Sequence, residues 1–563
     1  MNMTERKCHR THLSFENCEG SHCTIANINS FPFEVKLLIL KHLCYEDLKL
    51  VLFVCKEWRS IVLNQEIWRN LFYREFAGLK NEHVTWSDTV HKIMRELKQC
   101  QKDTKKLIWA IKGQHIAFLK KLLENDRSLA YSHYHKKKIP IYVSAQVGNK
   151  KIVSCLLESG ADPNVRSHDG STPLYIASQE GNTEALKLLI EAGANTECVF
   201  RNGYTPLYIS AQNGRIEAVK LLLKYGANIE STCSNGSTPL YIAAQQGRYE
   251  VAKLLVDAGA NLEVTFKTGF TPLYVAARNG HYQVVKLLVE CGANTEAKDG
   301  DGSTPLYVAA QNGHSDCVEY LSHRSNVETT FLDGYTPLYI ASQNGHAKVV
   351  ELLCKKNALV NRVCGNGSTS LYVACQNGHY NVAVILVQYG ARTDMIFGSG
   401  YTPLYIAAQK GHYKICKLLV KNNANLNATT YKGATALYVA SQKNHVKIVR
   451  YLIKQGANLE IPFQNGYTPL HIAVQEKSVP IVMLLLEYGA NPFARSYAYK
   501  TPLDIAETKE IVKLIYIYQQ MYFKMKLPLH CSSASLPISN PPSRREDRVE
   551  ETSITELPAS SCR

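Results

Sequence analysis

Between about residue 105 and residue 521 the apolar residues fall into paired clusters separated by short polar stretches. In one such pair, Leu338, Tyr339, Ile340 and Ala341 form the first cluster. Val349, Val350, Leu352 and Leu353 form the second, at helical spacing. The pattern predicts two short helices per unit and no long strand. The unit recurs as YTPLYIASQNGH from Tyr335, YTPLYISAQNGR from Tyr204, FTPLYVAARNGH from Phe270 and STPLYVAAQNGH from Ser303. Its opening threonine stands at Thr172, Thr205, Thr238, Thr271, Thr304, Thr336, Thr369, Thr402, Thr435, Thr468 and Thr501, every step being 33 residues except one of 32. A fixed period of this size implies a stacked solenoid. One unit alone cannot bury its apolar side, so stability comes from its neighbours.

Each unit carries its own punctuation. Thr suits the N-cap of the first helix and Pro its first position, where a missing N–H costs nothing. Asn-Gly ends that helix. A left-handed Gly or Asn is expected to close the second: Gly160, Gly193, Gly226, Gly259, Gly292, Asn357, Gly390, Asn423, Gly456 and Gly489. Lys106–Asn125 is a degenerate unit in phase with the rest and brings the count to thirteen. Two irregularities stand out. Glu319–Glu328 lacks the closing Gly-Ala and is one residue short, which predicts a distorted helix end or a change in superhelical angle between the repeats beginning at Thr304 and Thr336. The second is an alternation of two units: Tyr or Phe precedes the Thr in one unit, Ser or Ala in the next, and the aromatic units add a Phe five residues before the Thr. The array therefore looks built by duplicating pairs of units.

The repeat resembles the ankyrin repeat, whose signature is T-P-L-H-x-A in 33 residues. One departure is systematic: the family's His is Tyr at Tyr175, Tyr208, Tyr241, Tyr274, Tyr307, Tyr339, Tyr372, Tyr405 and Tyr438, and returns only at His471. A Tyr at one fixed inward position is read as a packing variant. The resemblance implies an all-α ankyrin-repeat solenoid of about 13 repeats with β-turn fingers, the fingers and first helices lining a concave protein-binding face. On the fingers lie Phe200/Tyr204, Phe266/Phe270, Phe331/Tyr335, Phe397/Tyr401 and Phe463/Tyr467, which are the candidate substrate-binding residues. At one helix layer of about 10 Å per repeat, aromatic fingers would recur about every 20 Å. Seven residues after each Thr stands a Gln (Gln179, Gln212, Gln245, Gln311, Gln343, Gln376, Gln409, Gln442, Gln475), with Arg278 the exception. Aromatics beside amides suit an extended protein ligand. The bland alternative is that these aromatics pack on neighbouring turns and the Gln row records duplication. Because the alternate units carry Ser, replacing Tyr335 and Tyr401 with Ser is expected to spare folding.

A different pattern fills residues 31–71. Pro32 can open a helix with Val35, Leu38, Ile39 and Leu43 on one face, a second starts at Glu46-Asp47, and a third spans Lys56–Asn64. Three short helices make a poor core of their own, so a partner that covers their apolar side would complete it. The order Phe31-Pro32-Phe33-Glu34, Ile39-Leu40-Lys41-His42-Leu43, Asp47-Leu48, Val54-Cys55-Lys56-Glu57-Trp58, Ile67-Trp68 resembles the F-box, with Phe31 in place of the usual Leu. The resemblance implies docking onto a Skp-type adaptor and, through it, a cullin ubiquitin ligase. Pro32, Leu40, Leu43, Asp47, Leu48, Val54, Cys55, Trp58 and Trp68 are the candidate adaptor-binding residues.

The chain thus divides into a disordered segment 1–30, an F-box 31–76, a helical linker 77–104, the repeat array 105–521 and a disordered Pro/Ser-rich and charged tail 522–563. Composition adds limits to this picture. The formal charge is +16, and from His91 to Lys151 there are fifteen Lys and Arg against four Asp and Glu. No aromatic-interleaved motif accompanies them, so a solvated face is preferred to nucleic-acid binding. The seventeen Cys show no disulfide pattern and often sit at repeat positions, which points to a reducing cytoplasmic or nuclear setting. Cys8, His9, His12, Cys18, His22 and Cys23 could ligate zinc as residue types, but no C-x-x-C or H-x-x-x-H pair sets tetrahedral geometry. No apolar run reaches membrane-spanning length. Ser, His and Asp recur with the period, so no catalytic triad, metal or cofactor site is read from them. The expectation is a non-enzymatic substrate receptor of an SCF-type ligase whose array holds an unidentified protein target. The alternatives are an ankyrin scaffold without ubiquitination and a basic nucleic-acid-associated factor using Lys136–Lys138.

Overall fold

The computed structural model describes residues 103–132 and 139–526, apart from 267, 268 and 333, together with Lys92 and Arg95; of residues 522–526 it describes the helix only. The expectations for residues 1–76, for Lys136–Lys138, for the linker helix near Ser87 apart from the helical Lys92 and Arg95, and for the C-terminal tail beyond the helical residues 522–526 lie outside them. Two compact units are distinguished, one ending at Arg392 and the other beginning at Thr393. Both consist of helix pairs. In the first unit these start with Asp103–Lys112 and Ile116–Asn125 and continue through Ser370–Asn377 and Tyr380–Gln388. The second unit runs from Pro403–Lys410 to Val479–Glu487. There the last first-helix shrinks to the 3-10 turn Leu503–Ile505, and the long helix Lys509–Lys526 follows. Among the described residues there is no sheet, only isolated antiparallel bridges at four fingers, Phe200 to Tyr204, Phe266 to Phe270, Phe331 to Tyr335 and Phe397 to Tyr401. The fold is an all-α repeat solenoid, as the pattern of the chain predicts.

The local signals behave as their chemistry requires. The Thr336 hydroxyl oxygen accepts from the Tyr339 N–H at 3.2 Å, and the same cap forms at every unit from Thr172 to Thr435. Ile139, which replaces Thr in an early unit, makes no such bond. The expected closers have positive φ throughout, including the non-glycines Asn357 and Asn423, both at 61°. Leu338, Val349, Val350 and Leu353 are buried between pairs, while Leu352 is only half-covered and Cys354 takes the inner place. The described cysteines are free thiols, and burial pushes Cys317 and Cys416 up to about 12 and Cys364 up to about 11. The buried ones act as small apolar fillers, whereas Cys291 is exposed.

The short unit ends its second helix differently, as its sequence predicts. Helix Ser315–Ser322 finishes at His323 in the right-handed region, and no residue from His323 to Val327 has positive φ. The Leu321 carbonyl accepts from both Arg324 and Ser325 at 2.8 Å, and the Arg324 guanidinium lies 4.0 Å over the Tyr320 ring. A carbonyl that would otherwise lack a partner is thereby used twice. The stacking register survives: Asn326 N–H donates to the Glu296 carboxylate at 2.7 Å, just as Asn294 donates to Glu263 one unit earlier.

Candidate protein-binding surface

The fingers that precede each first helix come in two kinds. In three of the aromatic fingers the two marked residues bond each other in both directions: Phe200 N–H to Tyr204 O and Tyr204 N–H to Phe200 O, each 2.9 Å, with the same exchange at Phe331/Tyr335 and Phe397/Tyr401. A Ser finger has one backbone bond and a side-chain substitute. Cys233 N–H donates to Ser237 O at 3.1 Å, and Ser237 N–H donates to the Asn235 side chain at 3.3 Å. Phe463/Tyr467 closes as the Ser fingers do, with Phe463 N–H donating to Tyr467 O at 2.8 Å and Tyr467 N–H to the Asn465 side chain at 3.0 Å, so the residue before Thr does not alone decide how its finger closes.

The inward Tyr of each unit reads that difference. Tyr175, Tyr241, Tyr307 and Tyr438 pack on the Phe of the next finger, with ring centroids 4.7, 5.2, 4.9 and 5.1 Å from Phe200, Phe266, Phe331 and Phe463. Tyr208 and Tyr339, and with them Tyr274, face Ser fingers instead; the Tyr339 hydroxyl lies 2.9 Å from that of Ser368. The second ring of each aromatic finger stacks on the inward residue of its own unit: Tyr204 on Tyr208, Phe270 on Tyr274, Tyr335 on Tyr339, Tyr401 on Tyr405, Tyr467 on His471. The alternation of period 66 is thus an alternation of two inter-repeat interfaces, one aromatic and one facing a small residue, which supplies a hydroxyl at Ser237, Ser303 and Ser368 and none at Ala434. Burial pushes the Tyr241 and Tyr274 hydroxyls up to about 12, so these two stay protonated. His471 fits its place as a neutral ring: Nδ1 accepts from Thr468 N–H at 3.2 Å, Nε2 donates to Lys500 O at 3.1 Å, and burial holds its pKa down.

The ten finger aromatics, Phe200, Tyr204, Phe266, Phe270, Phe331, Tyr335, Phe397, Tyr401, Phe463 and Tyr467, are all half-buried. Within each finger the structure brings the two together, and each ring gives up part of its surface to a stack. What remains exposed is a set of ring edges beside the Gln row, of which Gln311, Gln343 and Gln475 are open to solvent. Two hollows lie on this face of the first unit. One, of about 370 Å3, is bordered by Tyr241, Phe266, Phe270 and Arg278. The other, of about 440 Å3, is bordered by Phe270, Arg278, Asp301 and Phe331. Among the described residues no group of His, Cys, Asp and Glu is arranged to hold a metal ion, and no helix is long and apolar enough to cross a membrane.

A row that the repeat pattern leaves unremarked holds this face in place. The residue after the Asn-Gly turn reaches back one unit to a first-helix carbonyl. His281 bonds Gln245 O at 3.0 Å, His314 bonds Arg278 O at 2.9 Å, His346 bonds Gln311 O at 3.0 Å and His379 bonds Gln343 O at 2.9 Å. Arg215 and Arg248 do the same with Gln179 and Gln212. The Gln row is thus anchored through its backbone carbonyls. The signal available in the sequence was the recurrence of His or Arg at one position.

Comparison with known proteins agrees with the geometry. A family model described as ankyrin repeats (3 copies) matches in overlapping segments from 107–199 to 422–496. A second, described as F-box-like, matches residues 28–74, the stretch that holds all nine candidate adaptor-binding residues from Pro32 to Trp68. Among solved structures, the crystal structure of the human ASB11 ankyrin repeat domain is 28% identical, with 38% of this chain and 98% of that chain covered and a TM-score of 0.35. No curated protein matches. The chain belongs to the ankyrin-repeat family and carries an F-box-like domain ahead of its repeats.

Proposed function

We propose that this protein is the substrate-recognition subunit of an SCF-type ubiquitin ligase. The F-box-like domain would bind a Skp-type adaptor and through it the cullin, and the ankyrin array would hold the protein to be modified. An F-box implies adaptor binding, ankyrin repeats imply protein targets, and both families are typically non-catalytic adaptors. The observation that carries the reading is the F-box-like match at residues 28–74 in the same chain as an array that offers an aromatic and amide face. Pro32, Leu40, Leu43, Asp47, Leu48, Val54, Cys55, Trp58 and Trp68 would form the adaptor contact or the small fold that presents it. The exposed edges of the finger aromatics, centred on Phe266, Phe270, Phe331, Tyr335, Phe397 and Tyr401, would contribute to the target surface.

Co-purification tests the adaptor half. A Skp-type adaptor should come down with the full chain and be lost when Phe31–Leu71 is deleted. Undiminished recovery after the deletion would leave a scaffold without a ligase role.

A further inference from the structure

Arg278 is the one position in the row of first-helix Gln residues that carries a charge. It is exposed, and it borders both hollows of the first unit. Its guanidinium carbon stands 5.9 Å from the centroid of Phe270, whose ring also borders both. Its backbone is fully employed, since the carbonyl accepts from His314. Among the described residues its side chain makes no ion pair. A guanidinium held beside an aromatic wall, with its forked donors open, is a receptor for a planar carboxylate. Phe266 and Tyr241 lie on one side and Phe331 on the other, so aromatic contact is available before and after the charge, beside polar groups such as Asn235 and Gln245 in one hollow and Ser303 and Gln311 in the other. Two carboxylates border the far hollow, the half-buried Asp299 and the exposed Asp301, which confines a ligand's negative group to the Arg278 end.

We infer that this face binds an extended segment of a protein whose acidic side chain pairs with Arg278 while apolar residues on either side of it enter the two flanking hollows. An internal Asp or Glu is the occupant, not a chain terminus, because the hollows continue on both sides of the charge and a terminus would leave one of them empty. The inference rests on the reading that the array binds protein targets, and it specifies what such a target offers.

The test is affinity selection of phage-displayed random dodecapeptides on the immobilised full chain, with Arg278→Gln in parallel. The variant installs the residue that nine other units carry at this position, so it should fold and melt as the native chain does. Peptides selected on the native chain should share an acidic residue flanked by apolar ones. A synthetic peptide of that sequence should bind Arg278→Gln about tenfold more weakly, the scale of one hydrogen-bonded charge pair. Failure to select peptides, selection without an acidic position, or equal binding to both proteins would overturn the inference. Adaptor co-purification is independent of this residue and should be unchanged in Arg278→Gln, so failure here would leave the F-box reading intact.

Discussion

Gly345→Ala should cost about 2–4 kcal/mol of local stability, where the same change at Gly226 costs only about 1–2 kcal/mol. Both glycines have left-handed φ, 82° and 77°, so both variants place a Cβ in a disfavoured region. Their surroundings differ. A Cβ on Gly226 would meet nothing within 4 Å. One on Gly345 would lie 2.6 Å from His379 Nδ1 and 2.7 Å from Cε1. The His379 ring cannot retreat freely, because its Nε2 is bonded to Gln343 O at 2.9 Å. The alanine must therefore either break that bond or push two units apart. The same seat occurs under His281, His314, His346 and His445, so this is a general joint of the array. Amide exchange across helix Ala347–Lys355 reads the local cost. In a His379→Ala background the excess cost of Gly345→Ala should largely vanish, a coupling of about 1–2 kcal/mol. Equal costs at Gly345 and Gly226 would show that the ring is not seated on the glycine.

Tyr335→Ser should destabilise the neighbouring repeats by about 2 kcal/mol, less than a fully buried aromatic because Tyr335 is half-covered. The presence of Ser at this position in alternate units suggests tolerance, and the packing argues against it. Tyr335 stacks on Tyr339 at 4.9 Å and packs against the buried group of Tyr339, Cys364 and Val373. Its finger belongs to the aromatic interface, in which the preceding unit's Tyr307 meets Phe331 at 4.9 Å. A serine there leaves an aromatic slot half empty. It also lacks the Cys at the fifth residue before Thr that accompanies Ser in the fingers of Ser237 and Ser368. The check is amide exchange of helices Pro337–Asn344 and Ser370–Asn377 in the variant. Unaltered protection would mean that Tyr335 is free of the stack and wholly available to a ligand.

What could be read from the chain was whatever is decided within one unit. Thr336 caps three residues away, and Asn357 and Asn423 turn left-handed for local steric reasons, so these were visible in the sequence. The altered helix end after Ser322 was visible too, because the missing Gly-Ala removes a local device. The interfaces between units were not. Tyr339 meets Ser368 across 29 residues, and His379 reaches Gln343 across 36. Such pairs are invisible until the stacking offset is known. The alternation of Tyr and Ser fingers therefore looked like a record of duplication when it also sorts two ways of packing one tyrosine. For the same reason the finger aromatics looked freer than they are, while Arg278 looked like a mere exception in a row of Gln.

The central claim is that one chain holds a target on its repeats and delivers it for ubiquitin transfer through residues 28–74. It is tested most directly by identifying ubiquitin-modified lysines on proteins retained by the full chain and by the Phe31–Leu71 deletion, expressed side by side with the proteasome inhibited. The account predicts the same retained proteins on both, modified with ubiquitin only on the full chain. Equal modification on both chains, or none on either, would contradict it.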